Sequence, residues 1–254
     1  MRRPDFEPRS AAGIELPPGE IHVWSVALDP PPATVEQLAR SLAADEWQRA
    51  QRFHFERHRR RYKVGRGALR ELLGGYLGLA PGELRFSYGP RGKPFLDGPA
   101  AASGLFFNLS NSHELALVGF LRAAEIGVDV EHLKPMSDLE QIAERFFSES
   151  ERVALRQLPA HQKCEGFFNC WTRKEAYLKA VGEGLAAPLD SFDVTLLPGE
   201  EPRMLTLQGD AGRAERWFFE CFEPAAGYIG ALAVEGGAWQ IRTFRFDPGD
   251  IGDH

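Results

Sequence analysis

Cysteine is scarce in this chain of 254 residues: Cys164, Cys170 and Cys221 are the three, and no two form a C-x-x-C pair. An odd number without paired spacing argues against a disulfide framework or a thiolate zinc site, and suits buried thiols in a reducing compartment. Long apolar runs are missing too. No stretch approaches the roughly 18 residues of a membrane span, and the opening MRRPDFEPRSAAGIELPPGE has no apolar stretch of a secretory signal. A cytoplasmic protein with no membrane partner is expected. The seven histidines form neither H-E-x-x-H nor H-x-E with C-x-x-C, which disfavours zinc hydrolases and deaminases. There is no G-x-S-x-G elbow, no Walker loop and no G-x-G-x-x-G; GRGALRELLGG has the glycines but lacks the Lys-Ser/Thr pair.

What is present is an ordinary globular composition, 43% hydrophobic and 26% charged, with enough chain for one large domain or two compact halves. The net charge of −6 conceals an asymmetry. Between Arg49 and Arg70, nine Lys/Arg face one acid, Glu56, so this segment carries +8 and the remainder −14. A basic patch on an acidic protein points to a phosphate-bearing ligand or an acidic partner rather than bulk nucleic acid, and a solvated helix face is the competing reading. Phe53, Phe55, Tyr62 and Leu69, interleaved with the cations, tie the segment to a packed element.

Along the chain, residues 1–20 are Pro-rich and read as loose, and IHVWSVAL (21–28) alternates as a first strand. A helix follows, with Thr34 as its expected N-cap. The basic segment runs into a Gly-interrupted helix that ends before Pro81, followed by LRFSYG, the turn PRGKP, and the strand-like runs LFFNLSNS, LALVGFL and IGVDVE. Helical patterns return in LEQIAERFF, ERVALRQL and FNCWTRKEAYLKAVG, before a strand-rich final third. The expected fold class is therefore α+β, divided into halves at 21–124 and 125–246, with a loose acidic tail at 247–254. RGALRELLGGYLGLAP (66–81) lies over RKEAYLKAVGEGLAAP (173–188) at a shift of 107, matching at Arg, Gly, Ala and Pro. That echo hints at a duplicated fold with a site between the copies.

In the helix at 168–182, Lys174 and Glu175 fall inside the apolar arc, and a carboxylate there needs a positive partner. In IGVDVE, Asp129 and Glu131 share one strand face, opposite Val128 and Val130. A solvated strand edge is the plain alternative. A hard divalent cation held by Asp129, Glu131 and Glu175 satisfies all three charges together, and Mg²⁺ leaves positions for water and substrate phosphate. Lys179 stands one turn beyond Glu175, where it can reach what the metal holds or simply pair with Glu175. Lys93 lies on the GPRGKPF turn, and FNLSNS places Asn108, Ser110 and Ser112 on one strand face and Asn111 on the other.

IGVDVE, RFFSESE and WTRKEAYLKAVGEGL, preceded by GKPFL and FNLSNS in this order, closely resemble the 4′-phosphopantetheinyl transferases. They look most like the long single-chain class that activates carrier proteins of polyketide, nonribosomal peptide and fatty acid synthesis. The resemblance covers roughly residues 45–235. It implies two similar α+β halves with the active site at their interface, a monomer, and coenzyme A as co-substrate. Position by position, it implies Asp129, Glu131 and Glu175 as ligands of Mg²⁺ or Mn²⁺, Glu175 also as the base, and Lys179 near the coenzyme pyrophosphate. Arg49, Arg61, Lys93, Ser110, Asn111 and Lys174 are the further coenzyme contacts it suggests, with a neighbouring acid as the alternative partner of Lys174. Many relatives read N-[LI]-S-H-S where this chain has Asn108-Leu109-Ser110-Asn111-Ser112, so Asn111 supplies a hydrogen bond but no charge. The implied reaction moves phosphopantetheine onto a serine of an acyl or peptidyl carrier protein. Two rivals are a magnesium-dependent phosphohydrolase using the same carboxylates, and a nucleic-acid-binding module using RFHFERHRRRYKVGR, which leaves the three acids without a role.

Overall fold

The computed structural model describes residues 4–90, 92–182 and 188–249. After a short strand β1 (Glu7–Arg9), the first half runs β2 (Glu20–Ala27), α1 (Pro32–Ala39), α2 (Ala44–Gln51), α3 (Glu56–Leu77), the hairpin β3 (Arg85–Tyr88) and β4 (Pro94–Asp97), then β5 (Leu105–Ser112) and β6 (Leu115–Arg122). The second half repeats that order. It runs β7 (Ile126–His132), α4 (Leu139–Phe146), α5 (Glu149–Gln157), α6 (Ala160–Val181), the hairpin β8 (Phe192–Val194) and β9 (Met204–Leu207), the short α7 (Ala211–Ala214), then β10 (Trp217–Phe222) and β11 (Tyr228–Glu235).

The strands pair in the same way in both halves: β2-β6-β5 in one and β7-β11-β10 in the other, all antiparallel. The long helices α3 and α6 are each 22 residues and each stop at a left-handed glycine, Gly78 (φ 65°) and Gly182 (φ 77°). A residue with a β-carbon is disfavoured there, so glycine ends the helix. These helix ends register the repeat at 104 residues, three short of the shift the sequence match suggested; part of that match, residues 183–187, lies outside the described residues.

The expected division needs two corrections. The segment read as loose contains β1, and its Phe6, Ile14 and Leu16 are buried. The last strand, β12 (Gln240–Phe246), was assigned to the second half but lies parallel to β2 and carries β1 on its far side, giving a five-stranded sheet β1-β12-β2-β6-β5. An open edge on β2 would leave a row of unpaired N–H and C=O groups; β12 pairs them and buries Phe244 and Phe246 in the first core. Helix α1 also begins earlier than expected, with Pro32 in its first turn rather than Thr34 as its cap.

One core lies under α3 (Trp24, Leu69, Leu72, Phe120) and another under α6 (Phe147, Phe167, Leu178, Ile229). A third joins the two sheets through Val23, Leu117, Val128, Val130 and Leu232. Since Val128 and Val130 point into this joint, alternation turns Gly127, Asp129 and Glu131 toward α6. Gly127 permits the approach: a β-carbon there would stand 1.9 Å from the Ala176 carbonyl oxygen.

Candidate active site

Strand β5 separates two environments of opposite charge. Its Asn108, Ser110 and Ser112 face β7, the free edge of the three-stranded sheet. The Asn108 Oδ1 accepts from the Val128 N–H at 2.9 Å, and the His132 N–H donates to Ser112 Oγ at 3.1 Å. Side chains thus do for the β7 edge what a neighbouring backbone would otherwise do. The two hydroxyls also reach the acids: Ser110 Oγ lies 2.8 Å from Asp129 Oδ1, and Ser112 Oγ donates to Glu131 Oε2 at 2.6 Å.

From α6, the Lys179 ammonium lies 2.6 Å from Asp129 Oδ1 and donates to Ser110 Oγ at 2.8 Å. Glu175 stands one turn earlier on the same helix. Its Oε1 and the Oδ2 of Asp129 are both buried without a hydrogen-bond partner. Burial, and next the Asp129 charge, hold the Glu175 carboxyl above the ordinary carboxylate range, with Lys179 opposing. Burial likewise raises Glu131; Asp129 adds to the rise and the Ser112 hydrogen bond opposes it. One ammonium among three carboxylates leaves the cluster short of positive charge. Its donors are all oxygen, as Mg²⁺ or Mn²⁺ requires, and two of them are buried and unmatched. Among the described residues no three His, Cys, Asp or Glu side chains yet converge as a ligand set; Asp129 Oδ1 is paired with Lys179 instead. The cluster fits a hard cation in charge and donor type.

The other face of β5 presents Leu109 and Asn111 to a cavity of about 590 Å³. Its cations come from the basic segment, chiefly from α3: Arg57, Arg61 and Arg66, with Arg49 from α2. The spacing of Arg57, Arg61 and Gly65, and of His58, Tyr62 and Arg66, is one helical turn, so one face of α3 forms the wall. Arg61 is buried and bound to Asp29 (2.5 Å) and Glu114 (3.3 Å), and its hydrogen bond pulls the Asp29 carboxyl below its ordinary range. Arg66 is held by Glu46 and by Tyr88 Oη at 3.0 Å. Arg49 and Arg57 are exposed and make no ion pair among the described residues, although Arg49 lies 5.8 Å from the Tyr62 ring centre. Asn111 is uncharged, and His113 lines the same wall, stacked on His132 with ring centres 4.8 Å apart.

Two expected coenzyme contacts stand elsewhere. Lys174 is 1% exposed, inside the second half, where its ammonium pairs with Glu151 at 2.9 Å and donates to the Leu189 and Phe192 carbonyls at 2.6 and 2.5 Å. A helical wheel gives the apolar arc of α6 but not which neighbouring element a residue on it meets, and Lys174 meets Glu151, Leu189 and Phe192. Lys93 is outside the cavity wall: it donates to Glu125 at 2.6 Å and to the Lys179 carbonyl at 2.8 Å, tying the β3–β4 hairpin to the end of α6. A cation at a helix C-terminus offsets the unsatisfied carbonyls there.

The comparisons with known proteins bear on the same two halves. A family profile described as 4′-phosphopantetheinyl transferase superfamily matches residues 125–233, and one described as 4′-phosphopantetheinyl transferase, N-terminal, matches residues 27–122. The 4′-phosphopantetheinyl transferase HetI of Nostoc sp. is 44% identical over 227 residues, which is 89% of this chain and 92% of that one. The chain belongs to the 4′-phosphopantetheinyl transferase superfamily. The Sfp transferase of Bacillus subtilis is 32% identical over 63% of this chain and 69% of its own. Among solved structures, the Thermotoga maritima holo-[acyl-carrier-protein] synthase is 23% identical over 45% of this chain and 64% of its own, with a TM-score of 0.35, too partial a likeness to carry geometry across.

In this transferase Arg57, Arg66 and Tyr88 line the cavity and the Ser112 hydroxyl binds Glu131, placements that the sequence reading did not assign. The i, i+4 spacing along α3 was the available signal for the arginines, and strand alternation, which already set Ser112 beside Ser110, was the signal for its bond to Glu131. Tyr88 had none, since it reaches the cavity through a hairpin whose placement is tertiary. No helix of the described chain is long and apolar enough to cross a membrane.

Proposed function

We propose that this transferase moves the 4′-phosphopantetheine arm of coenzyme A onto a serine of an acyl or peptidyl carrier protein, using Mg²⁺, with Mn²⁺ as a substitute. The observation that carries the reading is the pairing of a basic, aromatic cavity with an acidic cluster across one strand, β5. The cavity suits the nucleotide and its phosphates, with Arg49, Arg57 and Arg61 as charges and Asn111 as a neutral donor. Asp129, Glu131 and Glu175 would hold the cation, which when bound neutralises pyrophosphate charge.

In the reaction, the carrier serine oxygen forms a bond to the β-phosphorus of coenzyme A as the bond to the bridging oxygen breaks. Phosphopantetheine stays on serine and 3′,5′-ADP leaves. Glu175, one turn before Lys179 on α6, accepts the serine proton. Lys179, fixed by Ser110 and Asp129, stabilises charge on the leaving phosphate. The acidic partner expected of the basic segment is the carrier domain, and a single chain holding both halves is expected to act as a monomer.

The test is mass spectrometry of apo carrier proteins incubated with the transferase, coenzyme A and Mg²⁺. A phosphopantetheine adduct that needs the carrier serine and disappears with EDTA is expected. Release of 3′,5′-ADP or phosphate without any carrier would overturn the transfer reading in favour of hydrolysis.

A further inference from the structure

Both halves contain the same buried device. In the first, Glu46 is the third residue of α2; its carboxylate accepts the Ala43 N–H at 2.9 Å and Arg70 Nε at 2.7 Å. Arg70 also donates to the carbonyls of Pro81 (2.8 Å) and Leu84 (3.0 Å). In the second, Glu151 is the third residue of α5; it accepts the Ser148 N–H at 2.9 Å and pairs with Lys174 at 2.9 Å. Lys174 donates to the carbonyls of Leu189 and Phe192. Arg70 and Lys174 are separated by the 104 residues that also separate the ends of α3 and α6. Each cation lies against a ring, Arg70 5.1 Å from the centre of Phe86 and Lys174 4.2 Å from that of Phe192.

The copies diverge around the device. Trp24 and Asp129 occupy the same place in their sheets, each opposite the fourth residue of an eight-residue strand, Val118 in β6 and Ala231 in β11. At the 104-residue shift, Gly75 stands where α6 has Lys179. At the same shift Glu71 stands where α6 has Glu175, but the first half lacks counterparts of Asp129, Glu131 and Lys179; it keeps the buried cation all the same, so the device serves the seating of a long helix rather than the binding of a ligand. In α6 that helix carries Glu175. Arg173 is fixed on one side by the Thr195 carbonyl, by Thr195 Oγ1 at 3.0 Å and by Cys221 Sγ at 3.2 Å. Lys174 is fixed on the other side, and the next residue, about 100° further round, faces Asp129.

We propose that Lys174 is a positioning residue for Glu175: with Glu151 and the Leu189 and Phe192 carbonyls it sets the roll of α6 that aims the Glu175 carboxylate into the acidic cluster. The role given to Glu175 rests on the function proposed above. Lys174→Met is expected to lower kcat for carrier modification tenfold or more while the coenzyme KM stays within twofold. Arg70→Met is expected to lose similar thermal stability with kcat within twofold. Lys174→Arg should recover most of kcat, since a guanidinium fills this place in the first half. If Lys174→Met does not fold, Glu151→Gln is read in the same way. A raised coenzyme KM with kcat retained, or a kcat loss no larger than that of Arg70→Met, would overturn the proposal. Hydrogen exchange separates it from the function: faster exchange in α6 of the Lys174 variant, and in α3 of the Arg70 variant, is expected even if the wild-type chain transfers nothing, and unchanged α6 protection would sink the positioning role.

Discussion

Glu175 is a glutamate under electrostatic pressure, with one oxygen buried and unmatched and a neighbour, Asp129, in the same condition. A carboxyl whose pKa is raised on folding binds protons more tightly in the native than in the unfolded state. Its contribution therefore becomes unfavourable as pH rises from the ordinary carboxylate range through the raised value. Glu175→Gln should accordingly unfold no more easily than wild type at neutral pH, and the gap between them should close as the solution is acidified. Activity should move the other way, falling by about 100-fold or more with the base removed. Parallel thermal melts and transfer assays check both; a variant that loses stability at pH 7 contradicts the view that the cluster lacks positive charge. Adding Mg²⁺ should raise the melting temperature of wild type, by about 1.4 kcal/mol of stability at ten times the dissociation constant, and the rise should be smaller in Glu175→Gln. Although α6 is buried nearly all round, Asn169, Thr172 and Arg173 included, at this scale the sequence revealed only that Lys174 and Glu175 lie on its apolar arc. It did not separate a lysine turned into one half from a glutamate turned between halves, because that depends on which wall each meets.

Among elements, the decisive contact is β7 against α6. The alternation of IGVDVE was legible and correctly set Asp129 and Glu131 on one face. That this face meets a helix rather than solvent was legible only through the cation expected to join it to Glu175, since an exposed edge strand shows the same alternation. Gly127 records the contact: its missing side chain brings the Ala176 carbonyl close enough to bar a β-carbon. Gly127→Ala should push α6 away, costing about 1–3 kcal/mol as overpacking does and lowering kcat more than the coenzyme KM, because Glu175 and Lys179 retreat together. Denaturant unfolding and steady-state kinetics on the same preparation check it, and a variant with wild-type stability would mean that the helix yields without cost. A comparable test bears on β5. Asn108→Ala strands the buried Val128 N–H, at about 1–3 kcal/mol, and loosens the strand that carries Ser110.

In the whole molecule, two copies of one α+β unit meet at β5 and β7, and only one copy carries the strand acids Asp129 and Glu131. The duplication was faintly legible in the chain, but the register was not: sequence matches favoured 107, while the left-handed glycines that end the helices give 104. The return of β12 to the first sheet was hidden as well, because parallel pairing between residues some 220 apart leaves no local pattern. What composition did disclose was the charge asymmetry, and the fold turns it into two zones on opposite faces of β5. Arg49 and Arg57 are exposed at the basic zone, where salt screens charges beyond about 10 Å at 0.1 M, while the acidic cluster is mostly buried and screened less. Raising ionic strength from about 50 to 500 mM should therefore increase the coenzyme KM several-fold and change kcat by less than twofold. The double variant Arg49→Ala, Arg57→Ala should begin with a high KM and show a flatter salt dependence. If kcat falls with salt while KM holds, coenzyme capture does not rest on the exposed arginines, and the buried Arg61, paired with the exposed Asp29, becomes the charge to test.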